Sequence, residues 1–279
     1  MLKEDLEKIA AEKGMDLFGV APVGRMRNAP GGHRPEDISP EAKSIISMAI
    51  KIPYAAVRAN HLAHTRRIRE LLYAYQRYGY TLLNDMLDSA AFTLCKYLEG
   101  KGFRATPIPA AAPYNAKELI GLLSNRHAAV AAGLGEFGWN GLLITPEYGP
   151  RVRVVTILSE ADMEPRPLYS GPKLCDRAQC SVCIKVCPMN AIPEDKKVTV
   201  QIDGKIFEYA ELKKLRCRLG VAHAPPYFQM EKVKIPEDPK PEDYLRVLEL
   251  ESSWLKQERA GPMCGRCLVE CPVGKERVT

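Results

Sequence analysis

The clearest chemistry in this 279-residue chain lies in its nine cysteines and the order in which they fall. Eight lie from position 175 onward. They run as Cys175-x4-Cys180-x2-Cys183-x3-Cys187-Pro188, then Cys217, then Cys264-x2-Cys267-x3-Cys271-Pro272. The chain opens Met1-Leu2-Lys3-Glu4-Asp5-Leu6, with acids early and no apolar h-region, so it reads as unexported and cytoplasmic. In such a reducing compartment disulfides are disfavoured, and clustered cysteines signify metal or redox chemistry.

The C-x2-C-x3-C-P pattern occurs twice. A [4Fe–4S] cube needs four thiolates arriving from different directions, and a C-x2-C turn entering a helix supplies two or three of them. In two-cluster ferredoxins the cysteine before the proline ligates the other cluster. Applied here, Cys175, Cys180, Cys183 and Cys271 hold one cluster, and Cys217, Cys264, Cys267 and Cys187 hold the other. The x4 gap before Cys180 departs from the usual x2. Structural zinc also accepts C-x2-C pairs, but it explains neither the two Cys-Pro endings nor the count of eight. Cys95 is left over, on the apolar face of a helix, and reads as a small buried hydrophobe.

A second feature is the stretch 131–153, AAGLGEFGWNGLLITPEYGPRVR, with Gly133, Gly135, Gly138, Gly141 and Gly149. Repeated glycines let the backbone approach a ligand closely or adopt positive φ. The spacing is not G-x-G-x-x-G after a strand, which disfavours a Rossmann nucleotide site. Gly133-Leu134-Gly135-Glu136 followed by Leu143 to Arg153 resembles the core of reductive dehalogenases. Gly133-Leu134-Gly135, Gly138, Asn140 and Leu142-Leu143-Ile144 resemble the Gly-Leu-Gly-Trp-Ile-Gly-Lys-Asn segment of epoxyqueuosine reductase. The resemblance extends from Gly19-Val20-Ala21 through Cys271-Pro272. It implies a nitroreductase-like α/β domain that holds base-off cobalamin, fed with electrons by two [4Fe–4S] clusters. Gly133, Gly135, Gly138, Asn140, Thr145 and Gly149 would then line the corrin, with His223 facing the cofactor or capping a turn. No Asp-x-His-x-x-Gly is present, so an axial histidine is not expected.

A reductase of this type needs a proton donor. By resemblance Tyr80, after Tyr78-Gly79 at the start of a long helix, is the candidate. His127, about two helical turns ahead of the glycines, is the second. Two departures count against the named substrates of these families. Arg104 to Lys117 contains no Asp or Glu, where epoxyqueuosine reductase has an acid, and Trp139 stands where dehalogenases carry an Arg.

These residues need a scaffold, and the chain reads as α/β (α+β). Helical spacing covers Leu2 to Ala10, apolar runs at 17–21 and 44–52 predict strands, and 60–100 is helical with a break near Gly79. A strand is expected over 102–108, one or two helices over 116–132, and a strand over 151–158. The proline-bearing run 160–172 reads as a linker between a cobalamin and substrate domain, 1–160, and a ferredoxin-like domain, 161–279. In the latter, 198–202 and 205–209 flank Asp203-Gly204 as a hairpin, short helices follow Cys180 and Cys264, and 233–243 reads as a loop insertion. Composition is ordinary for a soluble protein, at 46% hydrophobic and 27% charged, and the net charge of +6 tolerates an anionic partner without requiring one. The arginines at 66, 67, 69 and 77 read as a solvated helix face. No apolar stretch is long enough for a membrane span. The chain therefore reads as an anaerobic, cobalamin-dependent oxidoreductase. Its partners would be a low-potential donor (ferredoxin or flavodoxin) and a small-molecule substrate, with tRNA a less favoured partner. The rival reading is a ferredoxin-type electron carrier that docks a partner or binds a flavin.

Overall fold

A computed structural model describes residues 2–111, 114–115, 118–223, 236–243 and 263–274. Helix α1 (Leu2–Glu12) buries Leu6 and Ala10 and ends at Gly14, whose φ of 82° suits a residue without Cβ. Strand β1 (Leu17–Pro22), the short helix α2 (Pro35–Ile38) and strand β2 (Ser44–Lys51) follow. β2 is buried along all but its last residue. Its side chains divide as a strand's must. Ile46, Met48 and Ile50 join one core, while Ile45 and Ala49 join the other.

The helical stretch after β2 is broken at two places of different kinds. Helix α3 (Tyr54–Arg66) ends where Arg67 turns left-handed, at φ 58°, and α4 (Glu70–Gln76) begins after it. At the expected break near Gly79 the chain instead continues through a π turn, Arg77–Thr81, into α5 (Leu82–Gly100). The Tyr75 ring fills the space beside Gly79, where an added Cβ would lie 2.9 Å from it. That contact accounts for the glycine. A widened turn at such a place often marks a functional site.

Strand β3 (Ala105–Ile108) is shorter than the sequence predicts. The region read as one or two helices begins with a minimal hairpin, β4 (Tyr114–Asn115) with β5 (Ile120–Gly121), and only then forms α6 (Asn125–Ala131). Strands β6 (Glu136–Phe137) and β7 (Leu143–Ile144) make a second small ladder. Strand β8 (Val152–Ser159) completes a four-stranded, wholly antiparallel sheet in the order β1-β2-β8-β3. The residues of α5 that pack on one face include Leu83, Leu87, Leu94 and Leu98. The alanines of α6 pack on the other, together with Leu158. Covering both faces explains why β2 reads as a continuous apolar run even though its neighbours are antiparallel.

Beyond the sheet lie α7 (Val182–Lys185), the hairpin β9 (Lys197–Ile202) with β10 (Lys205–Ala210), α8 (Lys214–His223) and α9 (Arg266–Val269). The hairpin turns at Asp203 (φ 51°) and Gly204 (φ 80°), both left-handed as a type I′ turn demands. The proline-bearing run 160–172 is not a free tether. The Arg166 N–H donates to Val20 O at 2.8 Å, on the open edge of β1. Of the expected insertion 233–243, only 236–243 falls within the described residues. Among the described residues, no helix is long and apolar enough to cross a membrane.

Gly19 tests how tightly the α6 layer sits on the sheet, because a Cβ there would lie 2.3 Å from Ala132 O. Gly19→Ala should destabilise the fold by about 2–3 kcal/mol or more. Gly24→Ala, with open space beside it, should stay within about 0.5 kcal/mol. Urea denaturation of both variants measures the difference, and equal midpoints would contradict this packing.

Candidate redox centre and adjoining cavity

The eight clustered thiols fall into two electrostatic neighbourhoods. Cys175, Cys180, Cys183 and Cys271 are mutual neighbours. Cys187, Cys217, Cys264 and Cys267 form the other set, and the two sets feel each other's charge through Cys183 and Cys267. Burial pushes the thiols of Cys183 and Cys264 up to about 12 and that of Cys271 to about 11. Cys267 is raised well above its ordinary value for the same reason. Cys95 stands apart on α5, buried, with its thiol pushed up to about 12. Among the described residues, no three His, Cys, Asp or Glu side chains converge as the ligands of one metal ion would. A single zinc ion draws sulfurs to about 2.3 Å from one point.

The surroundings suit cluster ligation. Trp139, Ile192 and Ala210 form an apolar patch against Cys175, Cys183, Cys187 and Cys267. The Trp139 N–H donates to Cys175 Sγ and the Ala191 N–H to Cys187 Sγ, each at 3.3 Å. Hydrogen bonds of this kind to cluster sulfurs, together with limited solvent access, set cluster potentials.

The glycine segment forms the bed on which the cysteine loops lie. A Cβ at Gly149 would lie 2.0 Å from Val273 O, just beyond Cys271-Pro272. One at Gly135 would lie 2.0 Å from Ile144 O, and one at Gly133 would lie 2.1 Å from Pro167 O. At Gly138 it would meet the Ile144 side chain at 2.4 Å. These glycines therefore admit other parts of the chain. Asn140, buried, receives the Leu142 N–H on Oδ1 at 3.2 Å and donates from Nδ2 to Cys267 O at 3.4 Å. The Thr145 hydroxyl accepts from the Tyr148 N–H at 3.1 Å, closing the turn that carries Gly149. Glu136 ties the region together, pairing with Lys205 at 2.9 Å and accepting the Leu174 N–H at 3.2 Å.

Several supporting groups carry no sequence motif. Arg151 donates from Nη1 to Cys271 O at 2.9 Å and from Nη2 to Val273 O. Asn60 donates to Cys264 O at 2.9 Å, and His64 lies 2.7 Å from the same oxygen. His61 pairs with Glu270 at 2.9 Å. These residues sit on α3 and at the start of β8, more than a hundred positions from the cysteines they hold, so only the fold reveals them.

A cavity of about 1040 Å³ adjoins the second thiol set. The β9 strand from Val198 to Ile202 forms one wall, and Leu119 to Gly121 with Ser124, Arg126 and His127 form another. Cys217 opens onto it, yet is ringed by protein that raises its thiol to about 11. Arg25, Lys214 and Arg218 add cationic groups to the lining. None of Gly133, Gly135, Gly138, Asn140, Thr145 or Gly149 is among its lining residues.

The structure separates the two proton-donor candidates. Tyr80 sits on the π turn with the Arg153 guanidinium 4.2 Å from its ring centroid, and it is not among the residues lining the cavity. His127 borders the cavity. Its Nδ1 is 2.6 Å from Ser124 Oγ and its Nε2 is 3.1 Å from the Tyr209 hydroxyl. Burial, reinforced by the Arg126 charge, lowers the ring to about 3. His223 ends α8, and its side chain lies outside the described residues.

No protein-family model matches the chain. Among curated proteins, the tetrachloroethene reductive dehalogenase of Dehalobacter restrictus is 28% identical over 207 residues, 73% of this chain and 32% of that protein. The epoxyqueuosine reductase of Staphylococcus aureus is 29% identical over 158 residues, 55% of this chain and 37% of that one. The chain thus spans about a third of the length of these relatives. A solved reductive dehalogenase, reported with a mechanism for B12-dependent dehalogenation, superposes at a TM-score of 0.55 and 16% identity, covering 95% of this chain and 37% of that one. In sequence the chain is similar, at low identity, to reductive dehalogenases and epoxyqueuosine reductases, and its mixed α/β fold resembles theirs.

Proposed function

We propose that the chain is a cobalamin-dependent iron–sulfur reductase. The observation that carries the reading is the adjacency of three things: one four-thiol set, a second set packed against the same apolar patch, and a large cavity onto which the second set opens through Cys217. Cys175, Cys180, Cys183 and Cys271 would hold one [4Fe–4S] cluster, and Cys187, Cys217, Cys264 and Cys267 the other. Burial makes the thiols of Cys183, Cys264, Cys267 and Cys271 costly to ionise alone, and iron would supply the compensating charge.

The cavity exceeds the usual range for drug-sized ligands, about 300–1,000 Å³, and suits a corrinoid. Arg25, Arg126, Lys214 and Arg218 would meet its phosphate and amide groups, while Val198, Val200 and Ile202 offer an apolar wall. When bound, such a cofactor supplies a cobalt centre that takes electrons from the clusters and passes them to an electrophilic organic substrate. The chain's own part is to exclude water, orient the substrate and move a proton. His127 is the donor candidate that borders the cavity, and Tyr80 would act only in a substrate pose that reaches the π turn. In this reading residues 1–160 form a nitroreductase-like domain that contributes α6 to the cavity, and 161–279 a ferredoxin-like domain that contributes the hairpin and Cys217. A low-potential ferredoxin or flavodoxin would be the donor, in a reducing, cytoplasmic setting.

Anaerobic reconstitution should yield about eight irons per chain. Cys180→Ala and Cys217→Ala should each fall to about four, measured by iron and sulfide analysis. Stoichiometric zinc, or one variant losing both clusters while the other loses none, would contradict the assignment. Cobalamin offered to the reconstituted protein should co-elute on gel filtration at one per chain. Val200→Trp, which fills the cavity, should abolish that uptake without changing iron content. Uptake unaffected by Val200→Trp would move the cofactor elsewhere, and full iron with no uptake would favour a plain electron carrier.

A further inference from the structure

Ser124 occupies the N-cap position of α6, where a serine hydroxyl ordinarily accepts a hydrogen bond from the first turn. Here it makes no capping bond. Its Oγ is instead 2.6 Å from Nδ1 of His127, three residues on. The other ring nitrogen reaches across to the hairpin, 3.1 Å from the hydroxyl of Tyr209 at the end of β10. All three residues border the cavity that Cys217 opens onto. Phe137 clamps the pair, its ring centroid 4.7 Å from that of His127 and 5.0 Å from that of Tyr209.

We infer that Ser124, His127 and Tyr209 form a proton wire, and that Tyr209 is its delivering end, donating to the substrate reduced in the cavity. The inference rests on the function proposed above and adds the identity of the acid. The ring is neutral at rest, so each nitrogen then has one role. Ser124 Oγ–H donates to Nδ1, Nε2–H donates to the Tyr209 oxygen, and the Tyr209 hydroxyl proton is left to face the cavity. Burial supports this arrangement at both ends, since it keeps His127 unprotonated and raises Tyr209 above the ordinary phenol value. Arg126, 5.7 Å from the Tyr209 ring centroid, is a fixed cation that further disfavours a charged imidazole.

For an aryl halide the step balances as follows. The carbon–halogen bond breaks and halide leaves. Two electrons arrive from a low-potential donor through the redox centres. A carbon–hydrogen bond forms with the Tyr209 proton. Nε2–H then restores the phenol, Ser124 restores the ring at Nδ1, and water restores Ser124, which is only half-buried. The wire thus shifts as a unit and ends with the ring proton on Nδ1; a second relay in the opposite sense, taking a proton from cavity water at Tyr209 and releasing one from Ser124 to solvent, resets it. Tyr80, stacked under Arg153, is not among the residues that line the cavity.

Two measurements on the full chain test this. Nitrogen-15 histidine spectra of the protein without cofactor should show His127 neutral at pH 7 with its proton on Nε2. A proton on Nδ1, or a charged ring, would overturn the wire whatever the protein binds. In the reconstituted, cobalamin-loaded protein reduced with dithionite, a bromophenol serves as probe. Tyr209→Phe and His127→Phe should each slow debromination by about a hundredfold and lower its solvent isotope effect, with corrinoid uptake unchanged. Tyr80→Phe should change the rate less than threefold. The reverse ranking, with Tyr80→Phe slow and Tyr209→Phe unaffected, would refute Tyr209 as donor. Absence of corrinoid uptake in the parent protein would instead sink the underlying function and leave the spectra to judge the wire.

Discussion

Eight thiols gathered inside one protein are a constraint on everything around them. A thiolate is poorly tolerated away from water, and here burial holds most of these groups in the neutral form. They become useful only if something with compensating charge joins them. The two sets, packed on the same apolar patch, require loops from positions 175–187, 217 and 264–271 to meet in one place. The sheet, the glycine segment and α3 are arranged to make that meeting possible.

The meeting depends on backbone approaching backbone. Gly149 admits the strand of chain beyond Cys271, and Arg151, two residues later, anchors that strand through two carbonyls. On the other side, Asn60 and His64 of α3 hold the carbonyl of Cys264. Polar side chains here serve the main chain of the cysteine loops rather than the sulfurs. The Trp139 and Ala191 amides address two sulfurs directly, and those bonds would tune a cluster rather than build it.

Much of this was legible from the sequence, for identifiable reasons. Two C-x2-C-x3-C-P repeats sort the cysteines by a rule of covalent spacing, and the Asp203-Gly204 turn announces its hairpin by backbone conformation alone. Strand β2 betrays itself by its apolar run. The glycine segment stands out in sequence but not for what its glycines touch, since a close approach to protein and a close approach to a ligand leave the same trace. Tyr209 and Ser124 carried no signal, because a tyrosine at the end of a strand and a serine before a helix are ordinary until the fold brings His127 between them. In sequence the π turn at Gly79 looks like a break because a glycine that admits the Tyr75 ring resembles one that ends a helix.

The central claim is that the two thiol sets hold a pair of adjoining iron–sulfur cubanes beside the cavity. Electron paramagnetic resonance of the anaerobically reconstituted, fully reduced protein tests it most directly. Neighbouring reduced clusters should give the broadened, spin-coupled spectrum of interacting [4Fe–4S] centres, resolving into a simple signal when Cys217 is replaced. A spectrum of one isolated cluster, or a colourless and silent protein carrying zinc, would contradict the account.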